Sequence, residues 1–236
     1  MLDKERIQAK VTKMKTLATH INEALKIGKD ISSFSTYSYQ PKTREELKEI
    51  IANKIANEGT RCNLNDIDVS QVESMGYLFY KSKFNGDISG WNVSNVKNMM
   101  GMFSYSKFNG DISNWDVSNV KEMKFMFGYS KFNGDISKWD TSNVEATWKM
   151  FYESKFNGDI SKWDMSKVKD MFCMFYKADF NGDISKWDVS SAKSMRSMFE
   201  GSKFNQDISN WKINKDCVTY NMFDGCPIKD EYKPVI

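Results

Sequence analysis

The 236 residues suit one domain or a domain with an extension, and 16 Phe, 15 Met and 7 Trp supply the apolar area that disordered chains lack. With 34 basic and 31 acidic side chains the formal charge is only +3, so no whole-chain field draws the protein to nucleic acid or an anionic membrane. A single histidine, His20, and the irregular spacing of Cys62, Cys173, Cys217 and Cys226 argue against catalytic triads, zinc sites and a disulfide framework, which predicts a non-enzyme without cofactors.

The opening Met1-Leu-Asp-Lys-Glu-Arg mixes acids with bases and leads into no apolar h-region, so no signal peptide is expected. No stretch approaches the roughly 20 apolar residues of a membrane span. Ile7, Val11, Met14, Ala18, Ile21 and Leu25 are spaced 4-3-4-3-4, which predicts a heptad-patterned helix over residues 1–30. Its stripe can pack on the next helix or pair with a second chain, making residues 7–25 a candidate homo-oligomer contact. Residues 31–60 read as a connector and a capping helix. Thr43-Arg-Glu-Glu46 is a capping-box pattern, Leu47, Ile50, Ile51 and Ile55 share a face, and Gly59 is a stop. Residues 1–60 hold 11 basic and 8 acidic side chains, so the whole net charge lies there and residues 61–236 sum to zero.

Residues 61–228 are a repeat. Phe84, Phe108, Phe132, Phe156, Phe180 and Phe204 are each 24 residues apart, and Trp91, Trp115, Trp139, Trp163, Trp187 and Trp211 keep the same step. So do the Met-Phe pairs from Met102 to Met222, giving the unit F-N-G-D-I-S-x-W-D-V-S-N-V-x-x-M-x-x-M-F-x-x-S-K. Such a unit cannot bury its own apolar face, but stacked copies share one core, so the expected fold is a solenoid of about seven coils. Within each coil I-x-x-W-x-V suggests a short strand and V-x-x-M-x-x-M-F a helical turn. Asn-Gly, as at Asn85-Gly86, is expected to supply a positive φ, with Gln206 a departure in the last copy. Thr147 and Trp148 break the Met-x-x-Met-Phe stripe and suggest a local bulge. Residues 229–236 read as a C-terminal tail.

This unit resembles the leucine-rich repeats of the BspA-like family, near the Treponema type and closest to its mycoplasma-type branch, F-N-x-D-I-S-x-W-D-V-S-x-V-x-x-M-x-x-M-F. The resemblance implies an α/β repeat solenoid, a right-handed leucine-rich-repeat array. It also implies a bacterial surface or secreted protein binding host matrix or cell-surface proteins. The absent signal points the other way, to a cytoplasmic interaction scaffold if the chain is complete. A self-assembling structural repeat is the third reading.

The six repeat tryptophans are expected in the core, because the Trp and Val of the unit's W-x-V share a face. Asp87, Asp111, Asp135, Asp159, Asp183 and Asp207 are expected to accept backbone amides at a turn, with calcium as the alternative. A second column should face outward. Asp116, Lys138, Asp140, Lys162, Asp164, Lys186 and Asp188 form an alternating strip, with Lys138, Lys162 and Lys186 able to pair with the aspartates two residues on. That strip is the candidate partner-binding surface. Tyr80, Tyr105, Tyr129, Tyr152 and Tyr176 are further possible anchors, though unevenly placed. No phosphate loop, G-x-S-x-G elbow or H-E-x-x-H helix is present.

Overall fold

Thr43 opens the first element in the computed structural model, which describes residues 37–236. Its hydroxyl accepts the Glu46 amide at 3.2 Å, while the Glu46 carboxylate takes the Lys42 amide at 2.7 Å, one residue earlier than in the usual capping box. The helix, α1 (Arg44–Glu58), ends where Gly59, at φ +89°, donates its amide to Ile55. Leu47 and Ile51 enter the main core, with Ile50 and Ile55 half-buried against it. Lys54 is buried on the same side and its ammonium reaches Glu58 at 3.2 Å and Asp66 at 3.1 Å, tying α1 to the start of the array. Burial opposes the charge there, but the hydrogen bonds to Asp66 and Glu58 outweigh it and raise the lysine pKa. The heptad stripe at residues 7–25 lies outside the described residues. From Tyr39 onward the chain forms one compact unit.

No repeat unit holds a helix or a named strand among the described residues. The expected strand and helical turn are both replaced by β-turns. Trp91 donates its amide to Ile88, Val96 to Val93, Met102 to Met99 and Ser106 to Phe103, each closing a three-residue step. Two left-handed positions per unit explain why no helix forms. The first runs through Tyr77, Gly101, Phe125, Lys149, Cys173, Ser197 and Asn221, the second through Lys81, Tyr105, Tyr129, Glu153, Lys177, Gly201 and Gly225, all at φ between +48° and +64°. An α-helix of L-residues cannot continue through that region.

The same turns hold the next unit. The amides of Met75, Tyr77, Phe79 and Lys81 donate to the carbonyls of Asn98, Met100, Met102 and Ser104 at 2.8–3.0 Å, and the same row of four recurs across six successive unit pairs. One isolated parallel bridge marks each, from Ser74–Asn98 to Ser194–Val218. Every repeat tryptophan sends its indole N–H 27 residues back, as Trp139 does to the Ile112 carbonyl at 3.1 Å and Trp163 to Ile136 at 3.0 Å. An asparagine ladder adds to this, with the Asn133 amide on Asn109 Oδ1 at 2.7 Å and the Asn157 amide on Asn133 Oδ1 at 2.8 Å. Equivalent phenylalanines stack at 5.5–5.8 Å in the Met-Phe column and 6.1–6.3 Å in the Phe-Asn column.

Three local expectations are corrected. The Asn-Gly glycines do not have positive φ. They are glycine because a Cβ on Gly134 would lie 2.9 Å from the Phe132 ring, and Gln206 reaches Asn181 Oδ1 at 3.2 Å instead. Thr147 makes no bulge. It is buried where other units have Met, bonds Met174 Sδ at 3.4 Å, and its neighbours keep the inter-unit row. Residues 229–236 are no free tail, since a 3-10 turn at Asp230–Tyr232 lets the Tyr232 carbonyl accept the Ile208 amide at 3.0 Å, and Pro234 is buried.

Candidate recognition face

Both aspartate columns are built into turns. In the first, Oδ1 of Asp87, Asp111, Asp135, Asp159, Asp183 and Asp207 accepts the amide of the serine two residues on at 2.9 Å. In the second, Asp116, Asp140, Asp164 and Asp188 do the same at 2.9–3.1 Å. Lys138, Lys162 and Lys186 are exposed but do not pair with Asp140, Asp164 and Asp188, because those carboxylates are turned onto serines. Their charge acts instead on Asp135, Asp159 and Asp183. Among the described residues no group of three or more His, Cys, Asp or Glu converges as a metal site would require.

Serine amides, then serine hydroxyls, hold the first-column carboxyls below the usual aspartate range. The folded chain therefore binds fewer protons than the unfolded one near pH 4. This contribution is complete above the ordinary aspartate pKa and is lost as pH falls through the lowered folded values. Asparagine closes the same turn at Asn63 and Asn92, at 2.8 and 3.2 Å. Replacing Asp111, Asp135 and Asp159 together by Asn should flatten the drop in melting temperature between pH 5 and pH 2 (about the titration range of these carboxyls). An unchanged slope would mean the carboxylates do not carry it.

The chemistry of the chain varies elsewhere. Comparing units, most columns repeat, but one runs Gly76, Met100, Lys124, Trp148, Phe172, Arg196, Tyr220 and its neighbour Tyr77, Gly101, Phe125, Lys149, Cys173, Ser197, Asn221, with no residue type used twice in either. Three more vary nearly as freely: those of Ser74, Tyr80 and Lys81. The flanking Met99, Met102, Phe103 and Ser106 columns, in contrast, hardly change. Ser104, Ala146, Cys173 and Ser197 in these columns are buried, and the remaining variable side chains form one face. Tyr105 and Tyr129 stack at 4.3 Å, Tyr129 and Tyr152 meet at 5.2 Å, and Tyr152 and Tyr176 stack at 4.7 Å. Cations lie over these rings. Lys149 Nζ is 5.8 Å from Trp148, 5.2 Å from Tyr152 and 5.5 Å from Phe172, and Arg196 is 5.9 Å from Phe172 and 5.8 Å from Tyr220. Burial raises the Tyr129 and Tyr152 pKa values, and burial pushes the Cys173 thiol up to about 11, so it is no ready nucleophile.

All eleven non-glycine residues with positive φ among the described residues belong to these columns. A side chain in the left-handed region costs roughly 1–2 kcal/mol, and such strain persists at functional positions. Glycine fills the second left-handed column at Gly201 and Gly225. Glu153→Gly should therefore raise stability by about 0.5–1 kcal/mol after the entropy penalty of glycine, measured as the urea midpoint. Glu153→Ala, which keeps the Cβ, should give no such gain. The tyrosines are visible in the sequence only as an uneven set. The signal that finds the whole face is variance between copies at fixed phase.

The profile of a family described as a Mycoplasma protein of unknown function, DUF285, matches residues 45–155 and again 128–232. No curated protein and no solved structure matches the chain. No helix among the described residues is long and apolar enough to cross a membrane.

Proposed function

Because the chain belongs to the Mycoplasma DUF285 family, a family of repeat proteins, we propose that it is a non-catalytic protein-binding module. The array is a right-handed leucine-rich-repeat solenoid of the BspA-like kind, and the face of variable columns is its recognition surface. One coincidence carries this reading: four of the five columns that vary between copies hold aromatic side chains, and both left-handed columns are among them. Tyr, Trp and Arg are the residues that dominate binding energy at protein interfaces. The five columns hold Lys81, Lys124, Lys149, Lys177 and Arg196 against Glu122, Glu153, Asp170, Glu200 and Asp224. That balance suits a protein partner better than a polyanion. The family resemblance favours a matrix or cell-surface protein as partner and a surface location. The intracellular scaffold remains the alternative, separated by protease shaving of intact cells. The strip from Asp116 to Asp188 would be a secondary contact line.

Surface plasmon resonance against immobilised extracellular-matrix proteins tests the reading. The double variant Trp148→Ala/Tyr152→Ala should keep its unfolding midpoint, since other units carry Gly, Ser or Lys at these positions. It should lose at least about tenfold in affinity. Asp140→Asn/Asp164→Asn, which retains both turns, should lose less. Retention of no matrix protein, or equal retention of wild type and the aromatic variant, would overturn the proposal.

A further inference from the structure

Each unit grips the next through one row of amides. In the last such contact Met195, Ser197, Phe199 and Gly201 donate to the carbonyls of Val218, Tyr220, Met222 and Asp224 at 2.7–2.9 Å. One repeat further on, the amides of Thr219, Asn221, Phe223 and Gly225 hold the corresponding positions and have no acceptor among the described residues. The carbonyls of Thr219, Asn221 and Phe223 are turned away, accepting from Met222, Asp224 and Cys226 at 3.0, 3.3 and 3.0 Å. This edge therefore offers donors without acceptors. Two such edges cannot pair with each other, since a ladder needs a carbonyl opposite each amide. The amides alternate along the chain from Thr219 to Gly225, too spread out to converge on one phosphate.

The C-terminal segment covers the core beside this row, with Lys233 Nζ 5.9 Å from the Phe223 ring. It leaves the row itself within reach of solvent, with Gly225 exposed and Thr219, Asn221 and Phe223 half-buried. We propose that this edge binds a segment of another polypeptide that takes the turn conformation of a further repeat unit, one that presents a backbone carbonyl at every second residue. The occupant follows from continuity with the inter-unit rows already present, whose register the added segment continues. The edge meets the recognition face at Tyr220 but needs none of its central aromatics.

Amide exchange followed by NMR on the full chain tests this, with a synthetic peptide of residues 97–107 as probe, because that segment accepts such a row inside the protein. Without peptide, the amides of Thr219, Asn221, Phe223 and Gly225 should exchange at least about tenfold faster than those of Met195, Ser197, Phe199 and Gly201. Peptide at millimolar concentration should slow them on the order of tenfold, and the reversed-sequence peptide should not. The Trp148→Ala/Tyr152→Ala protein should show the same slowing, so this result stands or falls apart from the recognition face. Four amides already slow in the free chain, no slowing by the peptide, or equal slowing by the reversed peptide would each overturn the proposal.

Discussion

Replacing Trp139 with alanine should destabilise the array by about 3–5 kcal/mol, the range for a large aromatic removed from a core. The ring is buried, stacks on Trp163 at 6.3 Å, packs 6.3 Å from Phe127 and sends its indole N–H to Ile112. Because each unit contacts only its neighbours, stability is a sum of unit and interface terms. A defect in the middle should therefore uncouple the two halves and turn one urea transition into two. Trp211→Ala stands at the end, where one of its inter-unit partners is absent, and should cost less and leave a single transition. Equal effects at both sites would contradict a stack held by nearest-neighbour contacts.

Gly86→Ala should be the most damaging single-methyl addition, exceeding the roughly 1–3 kcal/mol typical of overpacking. A Cβ there would overlap the Cys62 carbonyl oxygen and press on the Phe84 ring, and the former is backbone that cannot rotate away. The same bond network leaves no slack, since the Cys62 carbonyl accepts the Asp87 amide at 3.2 Å. Gly90→Ala is the control. Its nearest neighbour would be the Asn65 side chain at 3.2 Å, and other units carry Asn114 or Lys138 at this position, so little change is expected. A thermal melt of both variants separates the cases, and equal melting temperatures would show that the close approach at Gly86 is not limiting.

What the sequence made legible was the phase of the repeat. The inward positions of Trp, Met-Phe and Phe follow from their unbroken 24-residue step, and Thr43, Leu47 and Gly59 marked α1 because capping and burial are local. The conformation inside the unit was not legible. Inward positions separated by two and three residues look like a strand joined to a helix when read by periodicity, whereas successive β-turns produce the same burial. Positive φ was expected at the Asn-Gly glycines and occurs in the columns of Tyr77 and Lys81 instead, because inter-unit bonds hold those residues there. The acidic strip attracted notice by its regularity, yet regular polar columns such as Asp135 and Asn133 are parts of turns and ladders. On the proposed reading, recognition chemistry breaks the repeat and lies where copies disagree.

On the proposed reading the unit divides its labour, with invariant columns holding the array and variable ones binding. The most direct measurement exchanges only variable residues for those of other units: Trp148→Lys and Phe172→Lys as at Lys124, Tyr152→Ser and Tyr176→Ser as at Ser104. Urea unfolding and matrix-protein binding are then read on the same preparation. The array should unfold in one transition near the wild-type midpoint and no longer bind. A variant that binds as before, or one that loses its folded array, would contradict that reading.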